Sequence, residues 1–233
     1  MLFSSIPFLY YFLPIVFLFY FIVPKPFKNF VLLVSSLYFY GCGEPKYLIL
    51  MSISIMTGYL SGLLIGHANS KKIKKFYLTL ALLILVGLLG YFKYADFFVA
   101  NFNALTGLSI PLLKVTLPIG ISFYTFQILS YSVDVYRGDT PAQKNLISFA
   151  AYVSMFPQLI AGPIVRYTDV ARELEHRTYS FDKAYEGIRR FIVGLSKKIL
   201  LANLLAELCD VFALLLKQRL NFKSLGNHVP VFI

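Results

Sequence analysis

Long runs without a single charged residue constrain this chain more than any other feature. Residues 1–24 contain no Asp, Glu, Lys or Arg, and residues 47–70 contain none either. Residues 76–92, 115–133 and 145–165 are three more such windows. A helix crosses a bilayer with about 20 apolar residues, within a range of roughly 17–25. Residues 97–113 are also uncharged, but Asn101, Asn103, Thr106, Gly107 and Pro111 make them a poor span. Residues 31–43 are apolar but short, which suits a tilted or re-entrant piece. Residues 199–216 read as a last span, with Glu207 and Asp210 near its middle. The expectation is an all-α polytopic membrane protein with about six or seven transmembrane helices plus re-entrant or interfacial segments.

Composition removes the competing classes. The chain is 58% hydrophobic and 14% charged, against roughly 45–50% and about 25% for a soluble domain. That excludes a secreted soluble enzyme, a disordered chain and a nucleic-acid-binding domain. The excess of 22 Lys and Arg over 11 Asp and Glu is read instead as topology. Basic residues favour the cytoplasmic side of a span. No Lys or Arg precedes the first window and no small-x-small site follows it, so it is not expected to be a cleavable signal. Lys25 and Lys28 come after it, which places the N-terminus outside the cell membrane (the inner, cytoplasmic membrane). Lys71, Lys72, Lys74 and Lys75 are then cytoplasmic. Residues 166–198, with eight basic and five acidic residues, are cytoplasmic too. An even number of crossings must join these two clusters. Residues 145–165 are therefore expected to be re-entrant, because Pro157, Gly162 and Pro163 interrupt a helix there.

Two local patterns stand out. Ser54, Gly58, Gly62 and Gly66 recur every four residues, a small-residue stripe expected to seat another helix of the same chain. From Phe181 onward the pattern is amphipathic. Tyr185, Ile188, Ile192, Leu195 and Ile199 form one stripe, and Lys183, Glu186, Arg190 and Lys197 lie opposite. Ser180 is the expected N-cap, Asp182 sits in the first turn, and Glu186 and Arg190 form an i,i+4 pair. This helix either lies in the headgroup layer or leads into the next span.

The usual catalytic signatures are missing: no Walker loop, dinucleotide fingerprint, His-Glu-x-x-His or Gly-x-Ser-x-Gly is present. Cys42 and Cys209 suggest neither a disulfide nor a metal site. His67 is expected to hydrogen-bond at the interface, His176 to be solvated, and His228 to sit in a polar tail without periodicity. The polar groups that attract attention are Gln127, Asp134, Arg137, Gln158 and Arg166. Asp134 and Arg137, at i,i+3, read as a local ion pair or as part of a site. Pro118 and Gly120 are expected to bend or thin a helix. Pro157, Gly162 and Pro163 are expected to leave Gln158 and Arg166 free to point into a cavity. There Arg166 would meet an anionic donor group or a lipid headgroup.

Two stretches carry a resemblance. One is Leu117-Pro-Ile-Gly-Ile-Ser-Phe-Tyr-Thr-Phe-Gln127, continuing through Tyr131-Ser-Val-Asp134-Val-Tyr136-Arg137-Gly138. The other is Phe156-Pro-Gln-Leu-Ile-Ala-Gly-Pro-Ile-Val-Arg166. Together with Tyr38-Phe-Tyr-Gly-Cys-Gly-Glu-Pro-Lys-Tyr47, they resemble the membrane-bound O-acyltransferase family, in its alginate O-acetyltransferase-like branch. The resemblance covers residues 1–216, read as the N-terminal part of such a domain, while residues 217–233 diverge from it.

What the resemblance implies is a multi-helix enzyme with a funnel through a thinned membrane. It would take an acetyl-type acyl group from a cytoplasmic thioester donor or acyl-carrier protein. The group would pass to hydroxyls of an exported, alginate-like polysaccharide. The thioester is a co-substrate and no bound cofactor is expected; membrane lipids are the other partner, and nucleic acid is not. The family's central histidine sits in a Trp- and Arg-rich segment that has no match here, and the chain has no Trp. The expectation is thus a truncated or frame-disrupted chain, inactive on its own and with no catalytic residue to name. The alternatives are a non-catalytic remnant or assembly subunit, or a transporter component, whose broken apolar segments would look similar.

Overall fold

The computed structural model describes residues 4–159, 165–175 and 177–219, and all of their regular structure is helical. A π-helical turn, Pro7–Phe12, runs into α1 (Leu13–Ile22). It is followed by α2 (Lys28–Gly41), α3 (Leu48–His67) and α4 (Lys71–Thr106). Then come α5 (Ile121–Arg137), α6 (Leu146–Ser154), the short α7 (Phe156–Leu159) and α8 (Tyr167–Glu175). After Arg177 a second compact unit carries α9 (Phe181–Lys197), a π-helical turn Lys198–Ala202 and α10 (Asn203–Arg219). Two helices, Pro45–His67 and Lys71–Thr106, are long and apolar enough to cross a membrane.

The first unit has a core inside an apolar shell. α3, α4 and α5 pack on one another, and α6 packs on α2 and α3. Met51, Ile55, Ile65, Leu85, Tyr124, Ile128 and Phe149 are sealed between them. A second, aromatic cluster joins Phe8, Phe12 and Phe39 to Phe156, with ring centroids 5.2–6.1 Å apart. On α4 only Ala81, Leu85 and Leu89 are buried, one residue per turn. Tyr77, Leu78, Leu82, Leu88 and Phe92 pack partly against the core, and others face outward: Leu83 is 68% and Phe76 63% exposed. Water does not tolerate an apolar surface of that extent, whereas lipid covers it without cost.

The small-residue stripe of α3 works as expected. A Cβ on Gly58 would stand 2.3 Å from Ile128 Cγ2, and one on Gly62 would stand 2.5 Å from Tyr131 Oη. The absent side chains are what allow α5 to lie against α3. Ser61 and Ser132 add a hydroxyl contact of 3.2 Å across the same seam.

Three expectations are corrected. Residues 76–92 and 97–113 are not separate segments: α4 continues through Lys93 and Asp96 as one helix of 36 residues, about 54 Å long. Asp96 on this helix holds the loop that follows it. Its Oδ1 accepts from the backbone N–H groups of Leu113 (2.8 Å) and Lys114 (3.2 Å), and its Oδ2 from Val115 (3.3 Å). The carboxylate thereby satisfies donors that no helix supplies with acceptors.

The window at 115–133 is likewise not helical throughout. Pro118 and Gly120 do not bend a helix; they precede it, and α5 starts at Ile121 and runs on to Arg137. Gly120 has φ +79°, and a Cβ there would lie 3.1 Å from the carbonyl oxygen of Leu159, so both conformation and space require glycine.

The third correction concerns residues 145–165. Helix α6 ends at Ser154, and Met155 turns to ψ 112° before α7 begins, so the break falls two residues ahead of Pro157. Ser36 on α2 captures the freed donor: its Oγ accepts from the buried N–H of Phe156 at 3.1 Å. Gly162 and Pro163 lie outside the described residues.

In the second unit Ser180 Oγ accepts from the Lys183 N–H at 3.1 Å, the expected N-cap, and Arg190 reaches Glu186 at 2.5 Å. The helix then continues without a break through the π-helical turn into α10, so the amphipathic segment leads directly into the last apolar one.

Candidate active site

Helix α5 supplies the frame. Tyr124, Gln127, Tyr131 and Asp134 follow at spacings of three, four and three, which places them on one face. All four are buried. Gln127 Nε2 donates to the carbonyl of Tyr152 on α6 at 3.1 Å. Tyr131 Oη accepts from the Gln143 N–H at 2.9 Å, and Gln143 in turn donates to Tyr167 Oη at 2.7 Å. The rings interlock, with Tyr131 4.7 Å from Phe149 and Tyr167 5.1 Å from both Tyr131 and Tyr152 between centroids. Such edge-on packing fixes ring orientation as well as burying area.

Asp134 ends this stripe, and its partner is Arg166. The guanidinium donates through Nη2 to Oδ1 at 2.5 Å and through Nε to Oδ2 at 3.3 Å. The Asp134 side chain is 3% exposed and that of Arg166 50%. The hydrogen bond and charge of Asp134 hold the Arg166 pKa above its usual value, so this is a fixed cation. A buried acid in an apolar setting needs such a partner. The expected Asp134–Arg137 pair is therefore not formed. A residue of the second sequence stretch takes the place of the helical neighbour, and Arg137 is exposed. Nor does Arg166 point freely into a cavity, because one side of its guanidinium is committed to the carboxylate.

The structure thus pairs Asp134 with Arg166, seats Gln127 two turns earlier on the same face of α5 against Tyr152, and leaves Arg137 exposed. Gln158 is half-buried on α7 and its Nε2 is buried without a hydrogen-bond partner. The fully buried hydroxyl of Tyr124 shares that condition. Leaving a buried donor unmet costs about 1–3 kcal/mol.

The element at residues 38–47 packs onto the lead-in of α5. Tyr40 Oη donates to the carbonyl of Ile119 (3.2 Å), Glu44 Oε2 accepts from the Ile119 N–H (3.0 Å), and Tyr47 Oη donates to the carbonyl of Thr116 (2.8 Å). These three side chains hold the non-helical strand of backbone that sets where α5 begins. The polar periodicity on α5 could have pointed to Tyr124 and Tyr131. Nothing local marks Glu44, Ser36, Gln143 or Tyr167, whose partners lie far away in sequence. His67 bonds through Nδ1 to the Leu63 carbonyl of its own helix at 2.8 Å, and His176 and His228 lie outside the described residues. Cys42 and Cys209 are free thiols. Among the described residues no cluster of three or more His, Cys, Asp or Glu could hold a metal ion.

Long apolar helices with a lipid-type exterior, closed around a buried Asp–Arg pair, are the features of a membrane protein. The chain belongs to the membrane-bound O-acyltransferase family, whose profile matches residues 56–218. It is 44% identical over 215 residues to the probable alginate O-acetylase AlgI of Azotobacter vinelandii, covering 90% of this chain and 43% of that protein. It is 43% identical over 215 residues to the probable alginate O-acetylase AlgI of Pseudomonas aeruginosa, covering 90% and 41%. To the peptidoglycan O-acetyltransferase of Helicobacter pylori it is 32% identical over 242 residues, covering 90% and 46%. The chain therefore spans less than half the length of these curated relatives. No solved structure matches it.

Proposed function

We propose that residues 1–216 form part of an integral membrane O-acyltransferase. This enzyme moves an acetyl-type acyl group from a thioester donor on the cytoplasmic side to hydroxyls of an exported, alginate-like polysaccharide. The observation that carries the reading is the Asp134–Arg166 junction. It joins the two motif stretches inside the region matched by the family profile. The exposed half of the Arg166 guanidinium suits the anionic part of a thioester donor or of an acyl-carrier protein, since a planar fork binds phosphate at two points. Asp134 positions that fork. Gln127 and Gln158 supply neutral polar groups on α5 and α7, and Arg137 a further cation at the exposed end of α5.

A sugar hydroxyl is a weak nucleophile and needs a base within hydrogen-bond reach. We assign that base to none of the described residues. The proposed topology places the N-terminus outside the inner membrane and the lysines at 71–75 in the cytoplasm, with about six or seven crossings. The enzyme binds no cofactor; the thioester is consumed as co-substrate.

The test is the acetyl-ester content of exported polysaccharide in cells lacking the gene, restored with it, or restored with the Arg166→Gln form. Ester content should fall on deletion, return with the native gene, and return less with Arg166→Gln. Unchanged ester content after deletion would overturn the proposal.

A further inference from the structure

Of the four polar residues on the buried face of α5, three have partners. Gln127 bonds to Tyr152, Tyr131 to Gln143 and Asp134 to Arg166. The fourth, Tyr124, is 0% exposed and its hydroxyl meets no acceptor. A buried hydroxyl with no acceptor is unfavourable anywhere, and more so at membrane depth, where no bulk water substitutes.

A second orphan donor lies on a touching element. Gln158 Nε2 is also buried and unpartnered. The residue after it, Leu159, brings its carbonyl to 3.1 Å from the position a Gly120 Cβ would take. Tyr124 sits one turn above Gly120, bonded to it through its own N–H at 3.1 Å. Tyr124 and Leu159 belong to the same buried cluster. Both orphan groups can donate, so their ligand offers an acceptor oxygen. Ile121, Ile128 and Leu159 belong to the same buried apolar cluster as Tyr124. Such a setting takes a neutral carbonyl at far lower cost than an anion.

We infer that the Tyr124 hydroxyl, with the Gln158 amide as second donor, binds the carbonyl oxygen of the acyl group. This rests on the acyl-transfer reading above, and it deepens that reading by naming the group bound and the residues that hold it. Tyr124 is a binding residue that fixes the acyl end of the donor between α5 and α7.

Two inert probes separate the possibilities. One is the ketone analogue of acetyl-coenzyme A in which methylene replaces sulfur; the other is the same molecule with its carbonyl reduced to methylene. Their binding is measured on the detergent-purified chain by isothermal titration. The native protein should prefer the ketone by about fivefold or more, the range of one hydrogen bond. Tyr124→Phe should lower that preference at least twofold while leaving affinity for the carbonyl-free probe unchanged, and the double variant with Gln158→Leu should bring it to about one. Gln158→Leu should lower the preference as well. Because Tyr124→Phe removes an unmet hydroxyl, its melting temperature should equal or exceed the native value. A lower melting temperature would show that the hydroxyl has a structural partner, and would overturn the inference. So would a Tyr124→Phe protein that keeps the ketone preference. Equal binding of both probes by the native chain overturns the inference but leaves the thioester donor standing. Binding of neither overturns both.

Discussion

Asp134 and Arg166 lie 32 positions apart in sequence, and their side chains meet at 2.5 Å. The acid is buried and the base is half in the open, so the two partners are not equivalent. Replacing Arg166 with Gln strands a carboxylate in an apolar interior and should cost about 2–4 kcal/mol of stability. Asp134→Asn releases a guanidinium that can turn toward solvent or headgroups, and should cost nearer ~1 kcal/mol. Thermal unfolding in detergent of both variants and the double variant measures this asymmetry. Equal costs would show that burial of Asp134 does not govern the pair.

Helix α3 gives a sharper steric test. Gly62→Ala places a methyl 2.5 Å from Tyr131 Oη, with the ring atoms Cε1 and Cζ at 2.7 and 2.9 Å. The helix pair must separate or the ring must leave its pocket, at about 1–3 kcal/mol. Gly87 on α4 has nothing within 4 Å of the same added atom. Gly87→Ala should therefore be neutral or gain ~0.5–1 kcal/mol from helix propensity. Melting temperatures of the two variants should move in opposite directions.

Asp96 acts through the backbone. Its carboxylate takes three consecutive N–H groups, those of Leu113, Lys114 and Val115. Asp96→Ala should speed hydrogen exchange at these amides by roughly tenfold, corresponding to about one hydrogen bond's worth of protection. Exchange at α3, whose core contacts do not involve Asp96, should stay as it was. Faster exchange throughout would mean that the whole bundle depends on this loop.

Ser36 is a distant cap. It serves the buried N–H of Phe156 from 120 positions away. Ser36→Ala removes the acceptor and leaves that donor buried, a loss of about 1–3 kcal/mol. The change should also loosen the Phe8–Phe12–Phe39–Phe156 ring cluster, since Phe156 is held at both its backbone and its ring. Reduced dispersion of the aromatic NMR signals would show this, and an unchanged spectrum with unchanged stability would refute it.

Much of the architecture was legible from residue order. The windows at 47–70 and 76–92 lie almost wholly in helices, the stripe at Ser54, Gly58, Gly62 and Gly66 became the α3 seat for α5, and Ser180 became the cap of α9. These features depend on spacings of three and four along one helix, which a sequence displays directly. The errors fall where the deciding group is remote. The charges Lys93 and Asp96 read as an interruption until α4 is seen to run through them, with Asp96 holding the loop at 113–115. Arg137 reads as the partner of Asp134 until Arg166 comes closer.

The sequence by itself therefore determined that the chain is helical, apolar on its outside and a relative of the membrane O-acyltransferases. Hydrophobic periodicity and contiguous motifs are properties of neighbours along the chain. Only the tertiary structure decided which charges pair, where α5 and α7 begin, and which buried donors remain unmet. Those depend on which distant groups meet once the helices pack, because a buried polar atom takes whatever acceptor the fold brings within about 3 Å.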